Sequence, residues 1–167
     1  MKKTIILLSG SPNSKNRFAE MVKNIAWIWE INSKDYLREN LRLFSWDGNR
    51  TEEINKLVED QLKLYNERFD FERKFLKDRI ERFLSDEGEF KKSSEGKVFD
   101  KFVLIVHGVS KELVPFLQEE YGIFRVHLSK KEYNSNERFP KDITILYDDE
   151  NNFSLEVNRI IEVLTKP

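Results

Sequence analysis

Thr4-Ile-Ile-Leu-Leu8 is a run of five β-favouring residues with no polar relief, followed at once by a small-residue turn and then by helical periodicity. Such a run predicts a parallel strand buried on both faces of an α/β sheet. The turn, Ser9 to Ser14, holds Gly10 and Pro12, and from Ser14 onward Phe18, Met21, Val22 and Ile25 recur at i, i+3, i+4 and i+7, one face of a helix. A helix whose N-terminus abuts a strand end presents unpaired N–H groups and the positive end of its dipole, which suits an anion such as phosphate.

The rest of the chain repeats the strand–helix alternation. Ile25 to Ile31 reads as a second strand, and Asn32-Ser33 can cap a helix from Lys34 to Phe44 with Tyr36, Leu37, Leu41 and Phe44 on one face. Ser45 to Arg50 is a turn. From Thr51 a polar helix carries Ile54, Leu57, Val58, Leu62 and Tyr65; it breaks near Asp70, and a second helix to Leu84 carries Phe71, Phe75, Leu76, Ile80 and Phe83. These two predict a helical hairpin or lid over about residues 51–84, inserted between strands of one domain spanning 1–167. The polar stretch 85–98, with two glycines and three serines, predicts an exposed loop. Strands are then expected at Lys101–Val106, Ile123–Leu128 and Ile143–Tyr147. Between the first two lies a helix over Ser110–Tyr121, with Ser110 as cap and Pro115 as an awkward interior residue. After the last comes a closing helix that turns Leu155, Ile160, Ile161 and Leu164 toward the sheet. Strands separated by helices imply right-handed crossovers and a mostly parallel sheet of about five strands. Ligands of such sheets gather at the carboxyl ends of the strands, here the loops after Leu8, Ile31, Val106 and Leu128.

At 167 residues the chain suits a single domain, and its 13 Phe, 5 Tyr and 3 Trp supply ample core for a protein that is 35% charged. Lys plus Arg (29) and Asp plus Glu (30) nearly cancel, so no global field favours a nucleic-acid polymer or an anionic membrane. Zero cysteines exclude disulfides, thiolate metal sites and thiol catalysis. The apolar run after Met1-Lys2-Lys3 is too short for a secretory signal, and no stretch approaches the roughly 20 apolar residues of a membrane span. The expectation is a soluble cytoplasmic protein of open oligomeric state, with no metal cluster of its own.

From Gly10 the sequence comes close to the phosphate-binding pattern G-x-x-x-x-G-K-[ST]. Four residues are followed directly by Lys15, so the second glycine is missing, and Asn16 falls where Ser or Thr would hold magnesium. Gly10 to Met21 resembles the G-x-x-x-x-G-K-D-T-x-A-E segment of the deoxynucleoside and nucleoside monophosphate kinase-like branch of the P-loop kinases, with the glycine deleted and Arg17 in the threonine place. Trp46-Asp47-Gly48 with Arg50 is similar to the family's Trp-Asp-Gly-x-[Lys/Arg] turn. The Val103–Val106 strand with Glu112 and Leu113, and the ending Asp142 to Glu156, also resemble family segments. The resemblance implies a three-layer P-loop NTPase-like fold, ATP and Mg2+ as cofactors, and phosphoryl transfer to a nucleoside monophosphate. It implies Lys15 as the catalytic phosphate contact and Gly10, Ser11, Asn13, Ser14, Lys15 and Asn16 as the nucleotide cradle. Trp46, Asp47 and Arg50 would face the acceptor. Apart from the resemblance, His107 stands at the end of a central strand, where ligands gather, and is placed to donate a hydrogen bond to phosphate, and Arg17, Arg73 and Arg79 are placed to act as clamp residues if the helical hairpin closes over the site.

The chain departs from the family where chemistry is concerned. The arginine expected after the Val106 strand is replaced by His107-Gly108-Val109-Ser110. Because phosphoryl transfer is largely positioning and charge neutralisation, losing such groups costs powers of ten in rate, and a catalytically inactive nucleotide-binding or regulatory protein stands as the alternative. A third reading is a flavodoxin-like FMN-binding protein, since Ser9-Gly-Ser-Pro-Asn-Ser14 also resembles the flavin-phosphate loop of that class. Each residue has a plainer role open to it: a solvated first-turn lysine for Lys15, an Asx-turn for Asp47, packing beneath a loop for Trp46, a surface charge for Arg50 and a structural histidine for His107.

Overall fold

The computed structural model describes residues 2–44, 46–85, 98–130 and 143–165. Most of the polar stretches 85–98 and 129–142 lies outside the described residues. The described residues form an α/β structure with an open, all-parallel five-stranded sheet and six helices. In chain order the elements are β1 (Lys2–Ser9), α1 (Pro12–Lys23), β2 (Trp27–Asn32), α2 (Ser33–Leu41), α3 (Glu52–Phe69), α4 (Phe71–Ser85), β3 (Lys101–His107), α5 (Val114–Tyr121), β4 (Phe124–Lys130), β5 (Ile143–Tyr147) and α6 (Glu150–Leu164). By internal contacts the chain divides into two units, one of residues 1–30 and 86–167, the other Ile31–Ser85. Among the described residues no helix is long and apolar enough to cross a membrane.

In the first unit the strands lie in the order β2-β3-β1-β4-β5. β1 is central because its sequence tolerates burial on both faces: Ile5, Ile6, Leu7 and Leu8 are all buried, as are Phe102 to Val106 of β3 beside it. One set of alternate residues, Ile6, Leu8, Val103, Ile105, Val126, Leu128, Ile145 and Tyr147, packs with Phe18, Ala19 and Val22 of α1 and Phe153, Val157 and Ile161 of α6. Each such large apolar side chain contributes on the order of 1.5–3 kcal/mol by leaving water. The hydroxyl of Thr4 donates to the Leu164 carbonyl at 3.1 Å, fixing the end of α6 to β1. Leu155, expected on the sheet side of α6, is 70% exposed, because Phe153, Val157 and Ile161 set the buried stripe instead.

The second unit is helical. Thr51 caps α3 with its hydroxyl, which accepts from the Ile54 N–H, and Asp70 ends α3 in the left-handed region at φ 51° before α4 begins. Leu37, Leu41, Val58 and Leu62 form one buried cluster in it, with Trp46, Ile54, Tyr65 and Phe71 packed around them, and Leu76, Ile80 and Phe83 of α4 are fully buried as well. A fully buried carboxylate, Glu72, accepts from the Ser33 hydroxyl at 3.2 Å and the Asn66 side-chain amide at 3.3 Å, tying α2, α3 and α4 together. The helix expected to reach Phe44 stops at Leu41 and tightens to a 3-10 turn over Arg42–Phe44, leaving Phe44 81% exposed and Tyr36 half-exposed, so only Leu37 and Leu41 of the expected face are buried.

Two further boundaries move for stated reasons. α1 starts at Pro12 rather than Ser14, since proline at the first helical position loses no hydrogen bond there. The segment expected as one helix from Ser110 begins as a 3-10 turn at Lys111–Leu113 with no side-chain cap from Ser110, and α5 follows with Pro115 in its first turn, where it does no damage.

Candidate functional site

The strand order decides where a ligand can sit. The connection leaving β1 leads to one side of the sheet, toward β2, whereas the connection leaving β4 leads to the other, toward β5. The crevice between the carboxyl ends of β1 and β4 is therefore the topological switch point, where ligands of open α/β sheets bind. A cavity of about 830 Å³ opens there, within the first unit. That is a volume suited to a small molecule.

Local sequence builds its wall. In the parallel register Ser9 lies beside His127, and Lys130 beside Tyr147. Ser9 and His127 meet through Oγ and Nδ1 at 2.8 Å, and His127 is buried. The chain then crosses over β4 at Gly10, whose φ of 140° and position are open only to glycine: a Cβ there would lie 2.9 Å from both Cβ and the carbonyl oxygen of Leu128. Two residues, Gly10 and Ser11, suffice to reach α1. The loop therefore does not wrap anything; it is a tight βα turn.

Its polar groups are largely committed within the protein. Ser11 caps α1, accepting from the Ser14 N–H at 3.2 Å, and its carbonyl accepts from the Lys15 N–H at 3.0 Å. The Ser14 hydroxyl is buried and shares hydrogen bonds with Ser11 Oγ at 2.8 Å and with the Tyr147 hydroxyl. Pro12 has no N–H, which leaves Asn13 as the first-turn amide of α1 able to face a ligand. Further along α1, Arg17 pairs with Glu150 of α6 at 2.5 Å, and its guanidinium lies 5.3 Å from the centre of the Phe153 ring, itself 4.6 Å from the Tyr147 ring. Among the described residues that line it, Arg17 and Lys130 against Glu150 leave one excess positive charge, before His127 is considered.

Of the residues expected to form a nucleotide cradle, Gly10, Ser11, Asn13, Ser14 and Asn16 line this cavity together; Lys15, partly buried on α1, does not. His107 is not part of the lining either. It ends β3, where Nε2 lies 3.1 Å from a carboxylate oxygen of Glu30 on β2. That hydrogen bond from His107, outweighing partial burial, holds the Glu30 carboxyl below the usual range, helped by the charges of His107 and Lys23. Lys23, 2.5 Å from Glu20 and 3.8 Å from Glu30, is raised mainly by its hydrogen bond to Glu20.

Trp46, Asp47 and Arg50 belong to the helical unit, where each has a local task. The Trp46 indole N–H donates to the Asn49 carbonyl at 2.9 Å. Asp47 accepts from the Asn49 backbone at 2.9 Å and its side-chain amide at 2.7 Å, an Asx-turn whose backbone bond keeps the exposed carboxyl low. Arg50 pairs with Asp35 at 3.2 Å. In the same unit Arg73 pairs with Asp70, and the guanidinium of Arg79 lies 5.4 Å from the Phe75 ring centre. Among the described residues no group of three or more His, Cys, Asp or Glu could hold a metal ion.

Sequence reasoning did not find His127, Lys130, Tyr147, Glu150 or Phe153, and assigned Arg17 to a clamp rather than a wall. The signal available was position: all five lie at the ends of β4 and β5 or the start of α6, but only the strand order brings those ends beside β1. No protein-family model matches this chain, and no curated protein matches it.

Proposed function

We propose that the chain is a nucleotide-binding protein on a P-loop-kinase-like three-layer fold, holding a phosphorylated small molecule at the switch point without transferring its phosphoryl group. The observation that carries this is the cavity at the ends of β1 and β4, lined by the first turn of α1 and by Arg17 and Lys130. Its cationic lining suits phosphate oxygens, which bind arginine in short, charge-assisted hydrogen bonds. The FMN reading draws less support: flavodoxin-like sheets run 2-1-3-4-5, and this one runs 2-3-1-4-5.

Binding is favoured over transfer because the parts that transfer requires do not fit ATP with Mg2+. Catalysis of this kind depends on a wrapping loop, its lysine and a hydroxyl on the metal. Here the turn is two residues long, Lys15 is not among the lining residues, Asn16 stands in the metal-hydroxyl place, and the Ser14 hydroxyl is bonded to Ser11 and Tyr147.

Calorimetric titration with ATP, ADP and the deoxynucleoside monophosphates, with and without magnesium, tests the reading alongside a radiolabelled transfer assay. The expected result is binding that is insensitive to chelation, weakened about tenfold by Arg17→Gln and changed less than about twofold by Lys15→Ala, with no transfer. Turnover abolished by Lys15→Ala would establish the kinase instead.

A further inference from the structure

Within the lining of the cavity, one cation is already taken. Arg17 Nη1 lies 2.5 Å from Glu150 Oε1, and both residues face the cavity. The two ends of this pair are held differently. Arg17 is steadied against the ring of the fully buried Phe153 and is only 37% exposed, whereas the Glu150 side chain is 79% exposed at the first position of α6. The guanidinium is thus the more enclosed partner and the carboxylate the more exposed one. Glu150 also puts a negative charge on the wall that any phosphate must approach.

We propose that Glu150 is a built-in competitor that sets affinity at this cavity: a phosphate group entering it takes the Arg17 guanidinium from Glu150, and the displaced carboxylate turns out to solvent. This rests on reading the cavity as a phosphate site. The exchange is feasible because an exposed ion pair is weak, whereas a planar guanidinium can bind phosphate oxygens through two hydrogen bonds. Glu150 is then a specificity-determining residue: an anionic ligand binds only to the extent that its phosphate outcompetes one carboxylate, whereas an uncharged ligand, which does not compete for Arg17, is unaffected.

The test uses inorganic diphosphate as the probe, measured calorimetrically on wild-type protein and on the Glu150→Gln, Arg17→Gln and Glu162→Gln variants, with adenosine as an uncharged probe. Glu162 is exposed near the end of the same helix and controls for net charge. Glu150→Gln is expected to tighten diphosphate binding about 3- to 10-fold and to leave adenosine unchanged, Arg17→Gln to weaken diphosphate at least tenfold, and Glu162→Gln to do neither. Diphosphate binding that Glu150→Gln leaves unchanged or weakens overturns the competitor role while sparing the cavity as an anion site. Absence of diphosphate binding to both wild type and Glu150→Gln overturns both. If diphosphate responds as expected but no nucleotide binds, the competitor stands and the nucleotide reading fails.

Discussion

The hydroxyls of Ser14 and Tyr147, 133 residues apart in the chain, are hydrogen-bonded to each other and tie the first turn of α1 to the end of β5. A P-loop presents this region to phosphate; here the protein itself occupies part of it. Tyr147→Phe keeps the ring against Phe153 and removes only the bond, leaving Ser14 with Ser11 as its partner. The expected cost is about 1 kcal/mol in urea unfolding. An unchanged midpoint would mean that the bond does not hold α1.

Gly10 passes over β4 with no room for a side chain and with φ in a region open to glycine. Gly10→Ala therefore requires β4 or the turn to move, and is expected to cost roughly 1–3 kcal/mol, read from the same unfolding curves. Gly48, whose Cβ would meet nothing within 4 Å, provides a comparison in which only the backbone conformation resists, and Gly48→Ala is expected to cost less.

In the helical unit Glu72 is fully buried between Ser33 and Asn66. Glu72→Leu leaves the Ser33 hydroxyl and the Asn66 side-chain amide without the acceptor each now has, and Asn66 stays pinned because its carbonyl oxygen accepts the Glu72 backbone N–H at 2.8 Å. About 1–3 kcal/mol of stability should be lost. Helicity that melts at the wild-type temperature in circular dichroism would contradict this.

The Glu30 carboxyl lies below its ordinary value of 4.5, chiefly through the hydrogen bond with His107. A carboxyl whose folded pKa is lowered stabilises the fold above its unfolded pKa, and that contribution disappears as pH falls through the folded value. Carbon-detected NMR should show Glu30 titrating below 4.5 in the wild type and moving back toward it in His107→Ala. A Glu30 titration identical in the two proteins would remove His107 as the cause.

Much of the fold was legible because the chain punctuates itself. The apolar runs of β1 and β5 are bounded by Ser, Gly and Asp, Asn32 and Thr51 mark helix starts where expected, and the helix expected to end at Tyr121 does so. Errors arose where two signals competed. Pro12 fits a turn by composition but suits the first position of a helix by its fixed backbone angle, and Leu155 fits a buried face that the stronger Phe153-Val157-Ile161 stripe takes. The site was half legible. The β1 turn announces itself by glycine, proline and serine, but which strand end stands opposite depends on the order β2-β3-β1-β4-β5, and no local pattern encodes on which side of β1 each crossover lands. His127, Lys130 and Tyr147 were therefore invisible as a group, while His107, at a strand end of the right kind, proved to be engaged with Glu30.

The central claim is that a nucleotide phosphate binds at the switch point of β1 and β4. Amide-shift mapping by NMR during titration with ADP tests it most directly. The account predicts saturable shifts concentrated at Gly10, Asn13, Arg17, Ser129 and Lys130, with those of Trp46 and Arg50 unmoved. Shifts centred on Trp46, Asp47 and Arg50, or none at millimolar ADP, would contradict it.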